Sequence, residues 1–468
     1  MKTTLGIAFH GAARTVTGSR HLLTFGGRKL LFDCGLYQGR RDEADRINRT
    51  FRFDPAELDT VVISHAHIDH IGNLPSLVAR GYAGPIHMTA ATAELAAVLL
   101  ADTAFLMQKD LEHVNKRRGG RPERKPLFTM ADVEETLTRV VKHGYHEVFE
   151  PLPGVRARYD DAGHILGSAI TTFEFAANGR TRRVCMGGDL GRPARPILRD
   201  PETPAAPEVL VLESTYGDRL HSDDDATVEG LVAIVNKTVA RGGRVVVPAF
   251  AVGRTQELVA MLHPLIEAKR IPDVPIFVDS PMARNATAVF VHHPECFDEE
   301  TFRAFHEEDG APFGFRRLRY IGSPDESRAL NDRKDPCIII SASGMCEGGR
   351  VLHHLQHALG NAKNTVLFVG YQGEGTLGRR LRDGAETVNV YGEPCTVRAE
   401  IAALDGFSAH ADQRELLEWV GSFATPPRTI FLVHGDLAPA EVLAKLLRER
   451  TGATVHIPEL GQEFDLWE

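Results

Sequence analysis

The stretch Ser64-His65-Ala66-His67-Ile68-Asp69-His70-Ile71-Gly72-Asn73-Leu74-Pro75 decides how this chain is read. It follows the apolar run Thr60-Val61-Val62-Ile63, which has the character of a strand covered on both faces. In an extended segment His65 and His67 point to the same side, so both imidazoles can reach one cation. Asp69 and His70 fall where the chain turns toward a following helix. An isolated histidine is ordinarily a packed or solvated residue. Three histidines and an aspartate at this spacing, at a strand end, point to a metal site, with donors enough to serve two adjacent ions.

Further donors stand at corresponding places, each at a strand end or turn and flanked by small residues: His164 in DAGHILGSA, Asp189 in MGGDLGR and His434 in FLVHGD. Together they give nitrogen and oxygen ligands suited to zinc without cysteine thiolates. The six cysteines (Cys34, Cys185, Cys296, Cys337, Cys346, Cys395) include no pair at the short spacing of a Cys-built zinc site or redox motif, and they read as reduced core thiols.

The 468 residues are 43% hydrophobic and 25% charged, which excludes disorder, collagen and low-complexity repeats. Against roughly 150 residues per domain the length allows two or three domains. The formal charge of −9 argues against a protein that coats nucleic acid through a global positive field, yet leaves room for a local basic channel. A candidate is the run HVNKRRGGRPERK, where Lys116, Arg117, Arg118, Arg121, Arg124 and Lys125 are opposed only by Glu123. The N-terminus has no apolar core of a secretory signal, and no stretch of about 18 apolar residues runs without a charge. A cytoplasmic protein with no membrane partner is expected.

Short β-rich runs, among them KLLFDCG, EVLVLEST, GRVVVPAF, VPIFVDS, PCIIISAS, NTVLFVGY and RTIFLVHG, alternate with helical patterns such as residues 255–269, 351–359, 413–423 and 438–448. That alternation means α/β layers. Residues 155–189 and 387–404 instead contain consecutive strands joined by turns such as Asn178-Gly179, and read as antiparallel hairpins. A seam is expected at the polar stretch YGDRLHSDDD beginning at Tyr216.

The motifs GAARTVTGS, LLFDCGLYQG, SHAHIDHIGNLP, AGHILGSA, GGDLGR, LESTYG, VVPAFAVGRTQE, DSPMA, SASGMCEGGR, GYQGEGTLGR, GFSAHAD and VHGD follow one another along the chain. In that order the sequence resembles metallo-β-lactamase-fold nucleases of the β-CASP group. It is close to bacterial and archaeal homologues of the cleavage and polyadenylation endonuclease subunit and more distantly similar to RNase J. The resemblance covers essentially the whole chain. It implies an αββα sandwich built from residues 1–215 and 395–468, with a β-CASP α/β domain inserted at 216–394 and clamping over the metal site. The first lactamase-like strand begins almost at Met1, so no preceding RNA-binding domain is expected.

The resemblance further implies two zinc ions per chain. His65, His67, His164 and Asp189 would hold the first; Asp69, His70, the bridging Asp189 and His434 would hold the second; Asp33 in FDCG would orient a ligand. Two zinc ions about 3.5 to 4 Å apart can carry a bridging hydroxide and neutralise a phosphodiester during in-line attack. Protonating the leaving oxygen needs a general acid, worth roughly 10² to 10⁴ in rate. By the same resemblance His410 donates that proton, with Glu213 of LESTYG as its carboxylate partner. His410 precedes a helix whose Asp412 and Glu415 fit a capping box.

Gly373, Gly375 and Gly378 formally match the dinucleotide pattern G-x-G-x-x-G, but too few residues precede the Gly384 turn for a crossover helix. Residues 372–379, with Gln372, Gly373, Gly375, Thr376 and Arg379, read better as a glycine-rich anion cradle of backbone N–H groups. SASGMCEGGR repeats the logic at a helix expected to begin near Arg350. The resemblance places Ser341, Ser343 and His354 near the nucleic-acid backbone.

The expected activity is therefore hydrolysis of RNA phosphodiesters, endonucleolytic, 5′-to-3′ exonucleolytic or both, leaving 5′-phosphate and 3′-hydroxyl ends. Single-stranded RNA is the expected partner, and a homodimer is common among similar proteins. Three rivals carry weight. Small-molecule hydrolases share HxHxDH but lack the insert motifs and the separate His410. The DNA-acting branch of the group has an apolar residue where this chain has His434. Silent scaffold subunits have lost metal ligands, and this chain retains all of them.

Overall fold

Along the strand Val209–Glu213 every side chain is buried, and alternate residues enter different cores. Val209 and Val211 join one apolar cluster with Phe9, Phe32, Tyr159 and Phe173, whereas Leu210 and Leu212 join another with Trp419, Leu443 and Leu447. A strand whose side chains alternate can do this only if its sheet has another sheet on one face and helices on the other. The computed structural model, which describes residues 3–39, 41–116, 124–177, 179–222, 224–307, 313–370, 372–373 and 375–467, bears this out.

Two compact units make up the chain. The first comprises Met1–Ala194, Arg199–Leu220 and His410–Glu468. It holds two seven-stranded sheets. One contains Leu5–Phe9, His21–Phe25, Arg28–Phe32, Thr60–Val62 and Ile86–Thr89. The other contains Val155–Asp161, Ala169–Ala177, Arg180–Met186, Val209–Glu213 and Thr429–Val433. Their facing residues form a single core in which Phe9 lies against Phe431 and Phe32 against Phe173. The helices Gln413–Gly421 and Leu437–Thr451 cover the outer face of the second sheet, and Ala90–Lys116 packs on the first. This is the αββα sandwich expected from the motifs. Over Ala90–Glu112 the covering helix is long and apolar enough to cross a bilayer, but it buries Leu95, Leu99 and Leu100 in the fold.

The second unit comprises Arg195–Leu198 and His221–Ala409. Six strands form its sheet, in the order Leu318–Tyr320, Ile276–Val278, Ile338–Ser341, Val245–Pro248, Thr365–Phe368, Glu400–Ala403, and every pairing is parallel. Val245 and Val247 pack on one face and Val246 on the other, as a sheet covered on both sides requires.

Two expectations are corrected here. Thr387–Val390 and Glu393–Thr396 form the expected hairpin, but Glu400–Ala403 leaves it and adds in parallel beside Thr365–Phe368. Its backbone groups are thereby paired inside the second unit's sheet, and that unit runs on to Ala409. Five of the six cysteines are buried thiols, but Cys395 is only partly buried, because it lies in this two-stranded ribbon. Arg117, Arg118, Arg121 and Glu123 of the basic run, and Asn178 of the hairpin turn, lie outside the described residues.

Candidate metal centre and active site

The donors gather where strands of the first unit end. His65, His67, Asp69 and His70 follow Thr60–Val62, His164 follows Val155–Asp161, Asp189 follows Arg180–Met186, and His434 follows Thr429–Val433. Chain ends at the carboxyl side of a sheet are where open α/β folds bind ligands. The loops approach closely. A Cβ at Gly35 would sit 1.5 Å from the carbonyl oxygen of Asp69, so only glycine lets the FDCG turn lie against the histidine motif. Asp33 (φ 59°) and His434 (φ 47°) both hold the left-handed conformation, sparsely populated by such residues and concentrated at functional sites.

Two donor sets result. In the first, His65 Nε2 is 3.1 Å from His67 Nδ1, His164 Nε2 is 3.2 Å from the same atom, and Asp189 Oδ2 lies 3.5 Å from His65 and 3.6 Å from His164. In the second, His434 Nε2 is 3.2 Å from His70 Nε2 and 3.4 Å from Asp69 Oδ2, and Asp189 Oδ1 is 3.3 Å from His70 Nε2. Asp189 thus offers one oxygen to each set. The ligand atoms of His65, His67, His164 and Asp189 converge within 4.8 Å of one another, and so do those of Asp69, His70 and His434.

The chemistry of the sets fits a metal. Burial lowers His67 to about 4 and holds His65 well below its ordinary value, so both are neutral imidazoles with a lone pair to offer. Burial alone would raise Asp189, yet His434 and His70 hold it well below the usual carboxylate range. Its Oδ1, though buried, accepts no hydrogen bond. Neutral His65 and His67 nitrogens packed beside an ionised carboxylate whose Oδ1 accepts no hydrogen bond are a costly arrangement without a cation, whereas Asp189 and Asp33 raise His70 well above its ordinary value.

Supporting residues fix the donors. Asp33 lies 2.7 Å from His70 Nδ1, leaving Nε2 for the second set, and accepts hydrogen bonds from the Ser64 backbone N–H and from the hydroxyls of Ser64 and Ser19. These contacts fix the orientation of the His70 ring and of the Ser64 turn. Ser19, Ser64 and Thr215 were not singled out from the sequence as site residues, although each lies within a motif quoted above. Thr215 donates to Glu213 and lies 3.2 Å from His434 Nδ1.

His410 sits beside the donors, with Nδ1 3.0 Å from Glu213 Oε2. Glu213 is fully buried and accepts the Leu190 N–H, while the Leu190 carbonyl accepts the Ala411 N–H, so the Asp189 loop ties both partners together. Burial would lower His410, but Glu213 and then Asp189 raise it to about 9. The helix after it begins with the expected capping box between Asp412 and Glu415. Arg192 also pairs with Glu415, at 3.1 Å and buried.

The residues expected to bind nucleic acid belong to the second unit, where several are committed elsewhere. Buried Asp279 receives Arg350 at 2.6 Å and His354 Nε2 at 2.7 Å, while His354 Nδ1 meets Asn331 and Ser341 donates to the Asp279 carbonyl. These three residues therefore build the turn after Ile338–Ser341. The anion cradle is also corrected. The N–H groups of Leu377, Gly378 and Arg379 go to Glu347, the Met345 carbonyl and the Thr376 hydroxyl, so the protein's own carboxylate occupies it. Arg379 pairs with Asp383. Ser343, partly exposed, accepts the Glu347 N–H. Gly373 and Gly375 lie in the connecting turn, where Gly375 takes φ 84°.

Comparison with known proteins agrees with this geometry. Residues 18–161 match the metallo-beta-lactamase superfamily, 255–381 the Beta-Casp domain, and 395–458 the Zn-dependent metallo-hydrolase RNA specificity domain. The chain is 38% identical over 452 residues to ribonuclease TTHA0252 of Thermus thermophilus, covering 97% of this chain and 98% of that protein. It is 31% identical to the transcription termination factor FttA of Methanocaldococcus jannaschii, covering 95% of this chain and 70% of that one. A protein of unknown function from Enterococcus faecalis shares the fold, with a TM-score of 0.58 at 14% identity over 99% of this chain and all of that one. With motifs, fold and near full-length relatives in agreement, the chain belongs to the β-CASP ribonuclease family of metallo-β-lactamase-fold hydrolases.

Proposed function

We propose that this protein is a zinc-dependent ribonuclease that hydrolyses phosphodiesters of single-stranded RNA and leaves 5′-phosphate and 3′-hydroxyl ends. The observation that carries the reading is the pairing of a doubled donor set, spanned by Asp189, with a separate buried Glu213–His410 dyad. His65, His67, His164 and Asp189, and Asp69, His70 and His434 with Asp189, would hold two zinc ions, which would supply charge neutralisation on the phosphodiester and a lowered pKa for bound water.

The residues of the chain supply the rest. Asp33 and Ser64 hold the His70 ring so that Nε2 faces the donors. Glu213 engages Nδ1 of His410, and proton transfer to the substrate is assigned to Nε2. As the water oxygen bonds to phosphorus and the bond from phosphorus to O3′ breaks, the His410 proton passes to O3′. The water oxygen stays on the phosphate, which accounts for the ends proposed.

Incubating the zinc-loaded protein with end-labelled single-stranded RNA and DNA, with and without chelator, tests this. RNA cleavage that needs metal and yields ligatable 5′-phosphates is expected. Preferential DNA cleavage, or full activity after chelation, overturns it.

A further inference from the structure

The second unit presents an aromatic ring at its sheet's ligand-binding edge. Val245–Pro248 lies between Ile338–Ser341 and Thr365–Phe368, all parallel. The chain leaves Val245–Pro248 toward Ile276–Val278 on one side of the sheet and leaves Thr365–Phe368 toward Glu400–Ala403 on the other. Adjacent strands whose connections diverge open a crevice at their carboxyl ends. Phe250 stands there, two residues beyond Pro248. The residue is 43% exposed although phenylalanine is usually buried.

The neighbours make the ring a rigid platform. A Cβ at Gly344 would lie 3.2 Å from Phe250 Cδ2, and one at Gly370 would lie 4.0 Å from Cε2, so two glycine turns approach the ring without side chains. Gln372, 2% exposed, donates its amide to the carbonyls of both Gly344 and Gly370 and thereby joins those turns. The Phe250 carbonyl accepts from the N–H and hydroxyl of Thr255, and Gln256 holds the carbonyl of Ala251. The backbone that carries the ring is therefore fixed before any ligand arrives.

We propose that Phe250 is a stacking platform for one nucleobase of single-stranded RNA, with Gln372 as the positioning residue that holds the glycine turns against it. A flat π surface open to solvent suits any base, so the platform would hold a single strand without reading its sequence. The proposal rests on the ribonuclease reading above.

The test uses the full zinc-loaded chain and a single-stranded RNA oligonucleotide. Stacking is worth enough that Phe250→Ala should weaken binding roughly 5- to 150-fold. Phe250→Trp should retain binding and show indole fluorescence quenched by RNA, whereas Phe250→Leu should not rescue. One abasic nucleotide moved along the RNA should weaken the wild type at one position and leave Phe250→Ala unaffected there. Gln372→Ala should weaken binding in the wild-type background only. A wild type that neither binds nor cleaves RNA overturns the ribonuclease reading. A wild type that binds RNA, with Phe250→Ala binding equally well, overturns the platform. A changed oligomeric state with unchanged RNA binding assigns Phe250 to a protein contact and overturns it too.

Discussion

Glu213 and His410 lie 197 positions apart in the chain, yet their carboxylate and imidazole meet at 3.0 Å. Glu213 ends a central strand of the second sheet and His410 precedes the helix that covers it. The sandwich therefore brings together two residues that no local pattern connects.

This contact sets an expected pH dependence. Burial lowers the His410 pKa, and the charges of Glu213 and Asp189 outweigh it and raise the value to about 9. The proton-donating form is thus present below that pH and lost above it. Glu213→Gln removes one negative charge, so the alkaline limb of the kcat profile should move to lower pH. An unmoved limb would separate Glu213 from proton transfer.

His410→Ala should slow cleavage by roughly 10² to 10⁴ while the protein keeps its metal, because a proton donor is removed rather than a ligand. His410 also lies near Asp189 and His434 within ligand reach. Zinc analysis of the purified variant decides between the roles, and loss of one equivalent would make His410 a ligand.

Asp189 directs separate oxygens to the two donor sets. The wild type should hold about two zinc per chain. Asp189→Ala should lower zinc content more than His65→Ala, and both should abolish hydrolysis. Equal metal loss in the two variants would count against the bridging role.

Asp33 holds His70 from behind, in a left-handed backbone conformation that asparagine also tolerates. Asp33→Asn should therefore test the charge without adding backbone strain. Metal affinity, measured against a competing chelator, should fall roughly 10- to 100-fold. Unchanged affinity would reduce Asp33 to a turn residue.

Arg192 and Glu415 form a buried pair at the start of the helix after His410. Arg192→Met strands the carboxylate and should destabilise the first unit by about 3 to 5 kcal/mol, seen as a lower denaturation midpoint. Adding Glu415→Gln should recover part of that loss. A single variant as stable as the wild type would show that the pair contributes little.

The gathering of metal-type donors was legible in the sequence because His65, His67, Asp69 and His70 occupy neighbouring positions, and the alternation of an extended strand alone directs two of them together. The layered architecture was legible for a related reason: runs such as 209–212 and 245–250 are apolar throughout, and a strand buried on both faces must lie between layers. Which polar group wins a buried donor is not a local property. The glycine pattern at 373–378 offered free amides, but packing brought Glu347 to the Leu377 N–H. His354 and Arg350 carried the chemistry of phosphate ligands, but Asp279 lay closer. Glu400–Ala403 had a hairpin's spacing and paired instead with a strand that ends 32 residues before it. Sequence periodicity records which face of each element is buried, whereas the pairing of distant strands and buried charges is decided only when the elements compete for one another in the packed fold.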